Sequence, residues 1–316
     1  MAANSNSYSR PIFIAGPTAV GKSEVALRLA ETIGGEIISV DSMQVYRGLD
    51  LGTSKPTPAE RARVPHHLID VVDVTEPFDA AKFVTLAGTA VSDIQSRGRV
   101  PIFCGGTGLY FKAFLEGLGE APPADATLRA ELEAAPLETL LDELRERDAV
   151  TYKRIDRQNP RRVIRALEVI RLTGRAFSEQ RADWNAERGT RNAEPFFGLS
   201  RTPADLHRRI DIRVEKMFAQ GMVDETRRLL EAGLAQNQTA MQAIGYRQVV
   251  EHLRGERPLK ETIELVKIRT RQFAKRQLTW FKRHATPTWI ALSPNDDVSR
   301  IVKQIANDLA DNSRQS

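Results

Sequence analysis

The distribution of apolar positions changes character twice along the 316-residue chain. At first it comes in short unbroken runs: Ile12 to Ala15, Glu36 to Val40, His67 to Val72 and Pro101 to Cys104. Continuous rather than alternating runs of this length predict parallel strands buried on both faces. Between them, Val25, Ala26, Leu29, Ala30 and Ile33, and later Phe83, Leu86, Ala90 and Ile94, recur at helical spacing and predict helices, the second over Lys82 to Arg97. From a Pro-containing linker, Gly117 to Asp125, the strands stop. Helices are then predicted at Thr127 to Glu133, Leu137 to Ala149 and Arg161 to Leu172. A second linker, Asp183 to Pro195, leads back to a strand at Phe196 to Leu199. Helices follow at Asp205 to Ala219, Val223 to Ala232 and Glu261 to Arg283, then a strand at Thr288 to Leu292 and a tail helix at Asp297 to Leu309. Alternating strands and helices, interrupted by helices alone and then resumed, predict an α/β fold: a parallel sheet flanked by helices with an inserted all-helical domain. The core is expected on residues 1–118 and 195–316, and the insertion on 119–194.

Composition narrows this little. With 28% charged and 41% hydrophobic residues and a net charge of +5, the chain has the make-up of an ordinary folded protein that tolerates a polyanionic partner. The single cysteine, Cys104, excludes an internal disulfide and a cysteine-based zinc site, and its apolar neighbours predict a small buried hydrophobe. Met1 to Arg10 lacks the apolar core of a signal peptide, and no run reaches membrane length, so a cytoplasmic location and no membrane partner are expected.

The first strand carries the chemistry. It breaks into Gly16-Pro17-Thr18-Ala19-Val20-Gly21-Lys22-Ser23, which is G-x-x-x-x-G-K-[ST] with a strand before it and a helix after it. In that setting, loop amides and a helix N-terminus cradle a polyphosphate, Lys22 adds a point charge and Ser23 offers a hydroxyl to Mg²⁺. Whether the ligand is a nucleoside triphosphate stays open. The second strand ends on Asp41-Ser42-Met43-Gln44, beyond a carboxyl edge where open parallel sheets place their ligands. Asp41 then reads either as a general base or as a helix cap. The fourth strand ends in Gly105-Gly-Thr107, without the acidic residue that nucleotide hydrolysis uses to hold Mg²⁺, and Asp70 and Asp73 are the substitutes at hand. His66 and His67 are neighbours pointing to opposite faces, which favours structural use over metal binding.

Positive charge is concentrated. Between Lys260 and Arg283 eight basic residues face two glutamates, with Lys267, Arg271, Lys275 and Lys282 along one helical stripe and Ile263, Val266, Thr270, Phe273, Gln277 and Phe281 along the inward one. Arg161, Arg162 and Arg165 form a second cluster, and Arg208, Arg209 and Arg213 a third. Such runs are either solvated faces or, spread over separate elements as here, a surface for a long polyanion such as nucleic acid.

Taken in order, further motifs join the glycine-rich loop: Ser39 to Tyr46, Leu51 to Pro56, Pro65 to Leu68, Gly105 to Tyr110, Asn159 to Arg162 with Arg165 to Glu168, Ile244 to Gln248, and Thr270 to Phe273 with Arg276 to Phe281. With these eight, the chain closely resembles the tRNA dimethylallyltransferases, also called tRNA isopentenyltransferases, over nearly everything from Ile12 to Trp289. The resemblance implies a P-loop-type parallel sheet that binds dimethylallyl diphosphate instead of ATP, with Mg²⁺ as cofactor. It also implies transfer of the dimethylallyl group to N6 of the adenosine 3′ of the anticodon, in tRNAs reading codons that begin with U. It assigns catalysis to Asp41 as base, with Lys22, Thr107 and Arg213, and the diphosphate to Gly16 through Ser23. To tRNA it assigns Asp41, Ser42, Met43 and Gln44, Thr107, Arg129, the stretch Arg161, Arg162, Val163, Ile164 and Arg165, and the stretch Gln242, Ala243, Ile244, Gly245, Tyr246 and Arg247. A monomer is expected. A small-molecule P-loop kinase, or transfer to free AMP, would leave the basic elements without a purpose.

Overall fold

The computed structural model describes residues 10–180 and 194–314; the first nine residues and the predicted linker up to residue 193 lie outside that range. The described residues divide into two compact units, 10–112 with 194–314, and 113–180.

In chain order the first unit contains β1 (Ile12–Ala15), α1 (Lys22–Ile33), β2 (Gly35–Val40), α2 (Pro58–Arg63), β3 (His66–His67), α3 (Ala80–Ser96) and β4 (Val100–Gly105). After β4 comes α4 (Gly108–Glu116), within which the division falls. The second unit continues with α5 (Ala126–Ala134), α6 (Leu137–Arg147), α7 (Ala149–Arg154), α8 (Pro160–Thr173) and α9 (Phe177–Gln180). The chain returns to the first unit through β5 (Phe196–Ser200), α10 (Pro203–Ala219), α11 (Met222–Glu231), α12 (Tyr246–Leu253), α13 (Leu259–His284), β6 (Thr288–Ala291) and α14 (Val298–Arg314).

The sheet has the order β3-β2-β4-β1-β5-β6, and every pairing is parallel. The apolar runs of β1, β2 and β4 are buried along their whole length, as strands covered on both faces must be. One face packs Ile12, Ile14 and Ile102 against Leu29 of α1 and Ile305 of α14. On the other, Phe13 stacks on Phe103 at 4.8 Å, and Phe111 meets Phe281 of α13 edge to face at 5.8 Å. Each such buried side chain contributes about 1.5–3 kcal/mol. Register decides where the site forms: Ala15 and Val40 both pair with Gly105, so β1, β2 and β4 end level. Their next residues, Gly16, Asp41 and Gly106, leave the sheet at one edge.

The predicted strand His67 to Val72 is corrected. Only His66 and His67 join the sheet, because Leu68 and Asp70 adopt left-handed φ values of 62° and 57° that no strand accommodates. The segment pairs instead with the loop after β2, where Val71 N and Val72 N donate to Val45 O. His67 Nε2 contacts Glu36 at 2.7 Å and His66 Nδ1 the Val64 carbonyl at 2.7 Å, both within the fold. The single helix expected over Leu137 to Ala149 breaks at Asp148, whose buried carboxylate caps α7 by accepting from Thr151 N at 2.9 Å.

Candidate active site

Downstream of β1, the loop Gly16 to Gly21 turns through left-handed residues at Ala19 (φ 63°) and Gly21 (φ 110°) before α1 begins at Lys22. No side chain caps α1, so its first-turn amides remain open to an anion. Lys22 Nζ donates to the Pro17 carbonyl at 2.8 Å, folding the lysine over its own loop. Burial drives its amine down from 10.5 to about 8; the charge of Arg213 acts in the same direction, while Cys104 and Asp41 oppose it. Arg213, on α10, is likewise held below the usual guanidinium range by burial, with Asp41 opposing, and its guanidinium reaches the Thr53 carbonyl at 3.5 Å. Lys22, Arg213 and Asp41 therefore sit within one another's fields, and neither cation makes an ion pair among the described residues. Cys104 is buried beside them, as its apolar run predicts, and its thiol is pushed up to about 11, so it stays neutral.

Asp41 does part of what a cap does. Its Oδ1 accepts from Met43 N at 2.8 Å and Gln44 N at 3.3 Å, which turns the chain after β2 and leaves Oδ2 without a donor among the described residues. Thr107 braces the same turn: its N–H and that of Gly106 donate to Val40 O, and its Oγ1 accepts from Ser42 N at 3.2 Å. The Gln44 amide is engaged internally, accepting from Ser39 Oγ at 2.7 Å and donating to Thr53 O at 3.1 Å.

Two arginines hold the phosphate loop by its carbonyls. Arg209 Nε donates to Ala19 O and Arg201 Nε to Val20 O, each at 2.8 Å. In a trans peptide the N–H opposes the C=O, so the Gly21 N–H points away from Arg201. The third basic cluster is thus corrected in part. Arg208 pairs with Asp205, Arg209 supports the loop, and only Arg213 is left for an anion. Arg201, which the sequence reading missed, lies just beyond the end of β5; a residue at a strand's carboxyl end is the signal that could have found it.

The IPP transferase family model matches residues 44–284. The chain belongs to the IPP transferase family. It is 44% identical over 310 residues to a tRNA dimethylallyltransferase of Geobacter sulfurreducens, covering 95% of this chain and 98% of that protein. A Thermotoga neapolitana tRNA dimethylallyltransferase is 40% identical over 302 residues, at 92% and 96% coverage. Among solved structures, the full-length tRNA isopentenylpyrophosphate transferase of Bacillus halodurans matches with a TM-score of 0.70 and 39% identity, over 97% of this chain and 99% of that one. A eukaryotic dimethylallyltransferase acting on tRNA matches with a TM-score of 0.78 and 29% identity, over 96% and 79%.

The residues that the family resemblance assigns to tRNA fare unevenly. In the second unit, Arg129 and Arg165 converge on Glu168, whose side chain is fully buried, at 2.7 and 2.6 Å; its other oxygen accepts from Asp125 N. Arg161 and Arg162 are exposed on the first turn of α8. Val163 and Ile164 are core residues packed with Leu132, Leu140 and Leu144, so their side chains do not face a ligand. In the first unit Gln242 and Arg247 are exposed, and Ile244 packs against the core. Ala243 and Tyr246 are buried. Tyr246 donates to Glu225 at 2.6 Å and accepts from Gly52 N at 3.1 Å, while Gly245 N donates to Gln248, so this stretch supports the Asp50 to Ser54 loop from within.

Two further expectations are corrected. Asp70 is bound by Lys55 and Arg61, and Asp73 by Arg47, so neither is free to substitute for the missing metal-binding carboxylate. On α13, Lys267 pairs with Glu215 and Glu264 and Arg271 bidentately with Asp211, which neutralises half of the predicted basic stripe.

Proposed function

We propose that the chain transfers a dimethylallyl group from dimethylallyl diphosphate to N6 of the adenosine immediately 3′ of the anticodon, in cytosolic tRNAs that read codons beginning with U. Membership of the family and the tRNA dimethylallyltransferases among its relatives support a prenyltransferase acting on tRNA. The observation that carries the chemistry is the convergence of Lys22, Arg213 and Asp41 near one sheet edge, with neither cation in an ion pair among the described residues.

In the reaction the donor's C1–O bond breaks, a C1–N6 bond forms and the amine loses a proton. Charge growing on the departing diphosphate meets the open amides of α1, Lys22 and Arg213, all fixed before the reaction starts. Asp41 holds Oδ1 in its turn and takes the N6 proton on Oδ2. Reaching N6 requires the adenine to leave its stack, and the turn that carries Asp41 is the segment that would receive it. The donor set fits Mg²⁺ bound largely through the diphosphate's own oxygens. Ser23, exposed on the first turn of α1, supplies one hard hydroxyl, and no cluster of three acidic, His or Cys residues occurs among the described residues. When bound, the metal would neutralise charge on the leaving group.

The test mixes purified protein, Mg²⁺ and labelled dimethylallyl diphosphate with unmodified tRNA or with AMP. Label in tRNA alone is the expected result. Label in AMP, or consumption of ATP in place of the prenyl donor, would overturn the reading.

A further inference from the structure

The basic helix α13 contributes a neutral side chain to the site. Gln277 is 7% exposed and sits between two loops that belong to different halves of the chemistry. Its Oε1 accepts the backbone N–H of Thr18, in the phosphate loop, at 2.8 Å. Its Nε2 donates to the carbonyl of Gly106, in the turn after β4, at 2.9 Å. From Gly106 the connection to Asp41 is short: Gly106 N and Thr107 N both bind Val40 O, and Thr107 Oγ1 accepts Ser42 N, so the residues on either side of Asp41 are held by this one turn. The turn is also shaped to receive the helix. A Cβ on Gly106 would lie 2.1 Å from the Gln277 amide nitrogen, and one on Gly108 would lie 2.1 Å from the ring of Trp280.

The chemistry at this position is specific. Thr18 N–H can only donate and Gly106 C=O can only accept, so the bridging group needs an acceptor at one corner and a donor at the other. A carboxamide has both; a carboxylate presents two acceptors, and an apolar side chain of the same length presents neither.

Resting on the reading of the site given above, we propose that Gln277 is a positioning residue for prenyl transfer, fixing the distance between the diphosphate cradle and the base Asp41. It contacts neither substrate. Its influence falls on the relative placement of two reacting groups, where errors near 1 Å cost up to about 10²-fold in rate.

The experiment compares wild type with Gln277→Met and Gln277→Glu, each checked for folding by thermal melting. It measures single-turnover transfer to tRNA and, separately, equilibrium binding of donor and of tRNA. Gln277→Met should react about 10- to 100-fold more slowly, with both dissociation constants within about threefold of wild type. Gln277→Glu should match it at neutral pH. As pH falls and the new carboxyl gains a proton, it again offers one donor and one acceptor, so its rate relative to wild type should recover while that of Gln277→Met stays flat. Should Gln277→Met fail to fold, that pH comparison within Gln277→Glu decides alone. Wild-type transfer rates in Gln277→Met, or donor affinity falling in step with rate, would overturn the proposal. A wild-type protein that prenylates no tRNA would overturn the reading of the site as well, whereas a fast Gln277→Met overturns only the coupling.

Discussion

The cations at the carboxyl edge of the sheet and those on α5, α8 and α13 are the same residue types in opposite circumstances. Lys22 and Arg213 are half-buried with no ion pair among the described residues, and desolvation lowers the pKa of each. Lys267 has two glutamates and its pKa is raised by hydrogen bonds to Glu215 and Glu264; Arg271 has Asp211, and Arg129 and Arg165 share Glu168. A desolvated cation without a counter-charge is costly to maintain, and an arriving anion relieves that cost. A paired cation has little left to offer until its partner is displaced. The difference separates charge held ready for a leaving group from charge that mainly holds helices together, although a simple count of lysines and arginines treats both alike.

Four measurements sharpen or break this contrast. The largest effect belongs to Asp41→Asn. The amide oxygen can still accept from Met43 and Gln44, so the turn survives while the base is lost, and kcat should fall about 10²- to 10⁴-fold with an unchanged circular dichroism spectrum. Unfolding would reassign Asp41 to capping. Lys22→Ala should follow at about 10²- to 10³-fold in the chemical step; wild-type turnover would place the diphosphate elsewhere. The pH dependence of donor affinity comes next. Lys22 is protonated below about 8 and loses its charge as pH rises through that value, so donor binding should weaken about tenfold from pH 7 to pH 9 and take up a proton within that range. Calorimetry in two buffers of different ionisation enthalpy checks the uptake, and a flat profile would mean that the amine is not desolvated. The smallest effects concern salt. Arg162→Ala, exposed and outside any ion pair among the described residues, should flatten the tRNA-binding salt slope by about 0.7 to 0.9 unit, whereas Arg271→Ala should leave it unchanged. Equal slopes for both variants would erase the distinction between paired and unpaired surface arginines.

What was legible beforehand was local. The glycine-rich loop announces itself because its turn, its strand and its helix lie within about twenty consecutive residues. The strands β1, β2, β4 and β5 were visible for a similar reason, since burial on both faces leaves an unbroken apolar run. What was misread depends on distant partners. The segment after His67 is bent by left-handed Leu68 and Asp70, and Asp70 is held there by ion pairs to Lys55 and Arg61. The acids that silence Lys267 and Arg271 lie largely on α10, more than fifty positions away. Helix α4 escaped notice because Leu109, Tyr110, Phe111, Ala113, Phe114 and Leu115 are apolar nearly all round, which hides the 3.6-residue period. Gln277 was visible as an inward position, but nothing in its neighbours specifies that a carboxamide must meet a donor on one side and an acceptor on the other.

The turn that closes β4 also bears on how this lineage can change. Nucleotide-hydrolysing P-loop proteins keep an acidic side chain at the end of a neighbouring strand. Here a Cβ added to Gly105 would lie 2.0 Å from Val40 O, and one on Gly106 would meet Gln277. A side chain introduced at Gly105 would press on the backbone of β2, and one at Gly106 would displace the Gln277 amide of α13. Adding a metal-binding carboxylate at either glycine would therefore disturb the same framework that holds Asp41 and the phosphate loop.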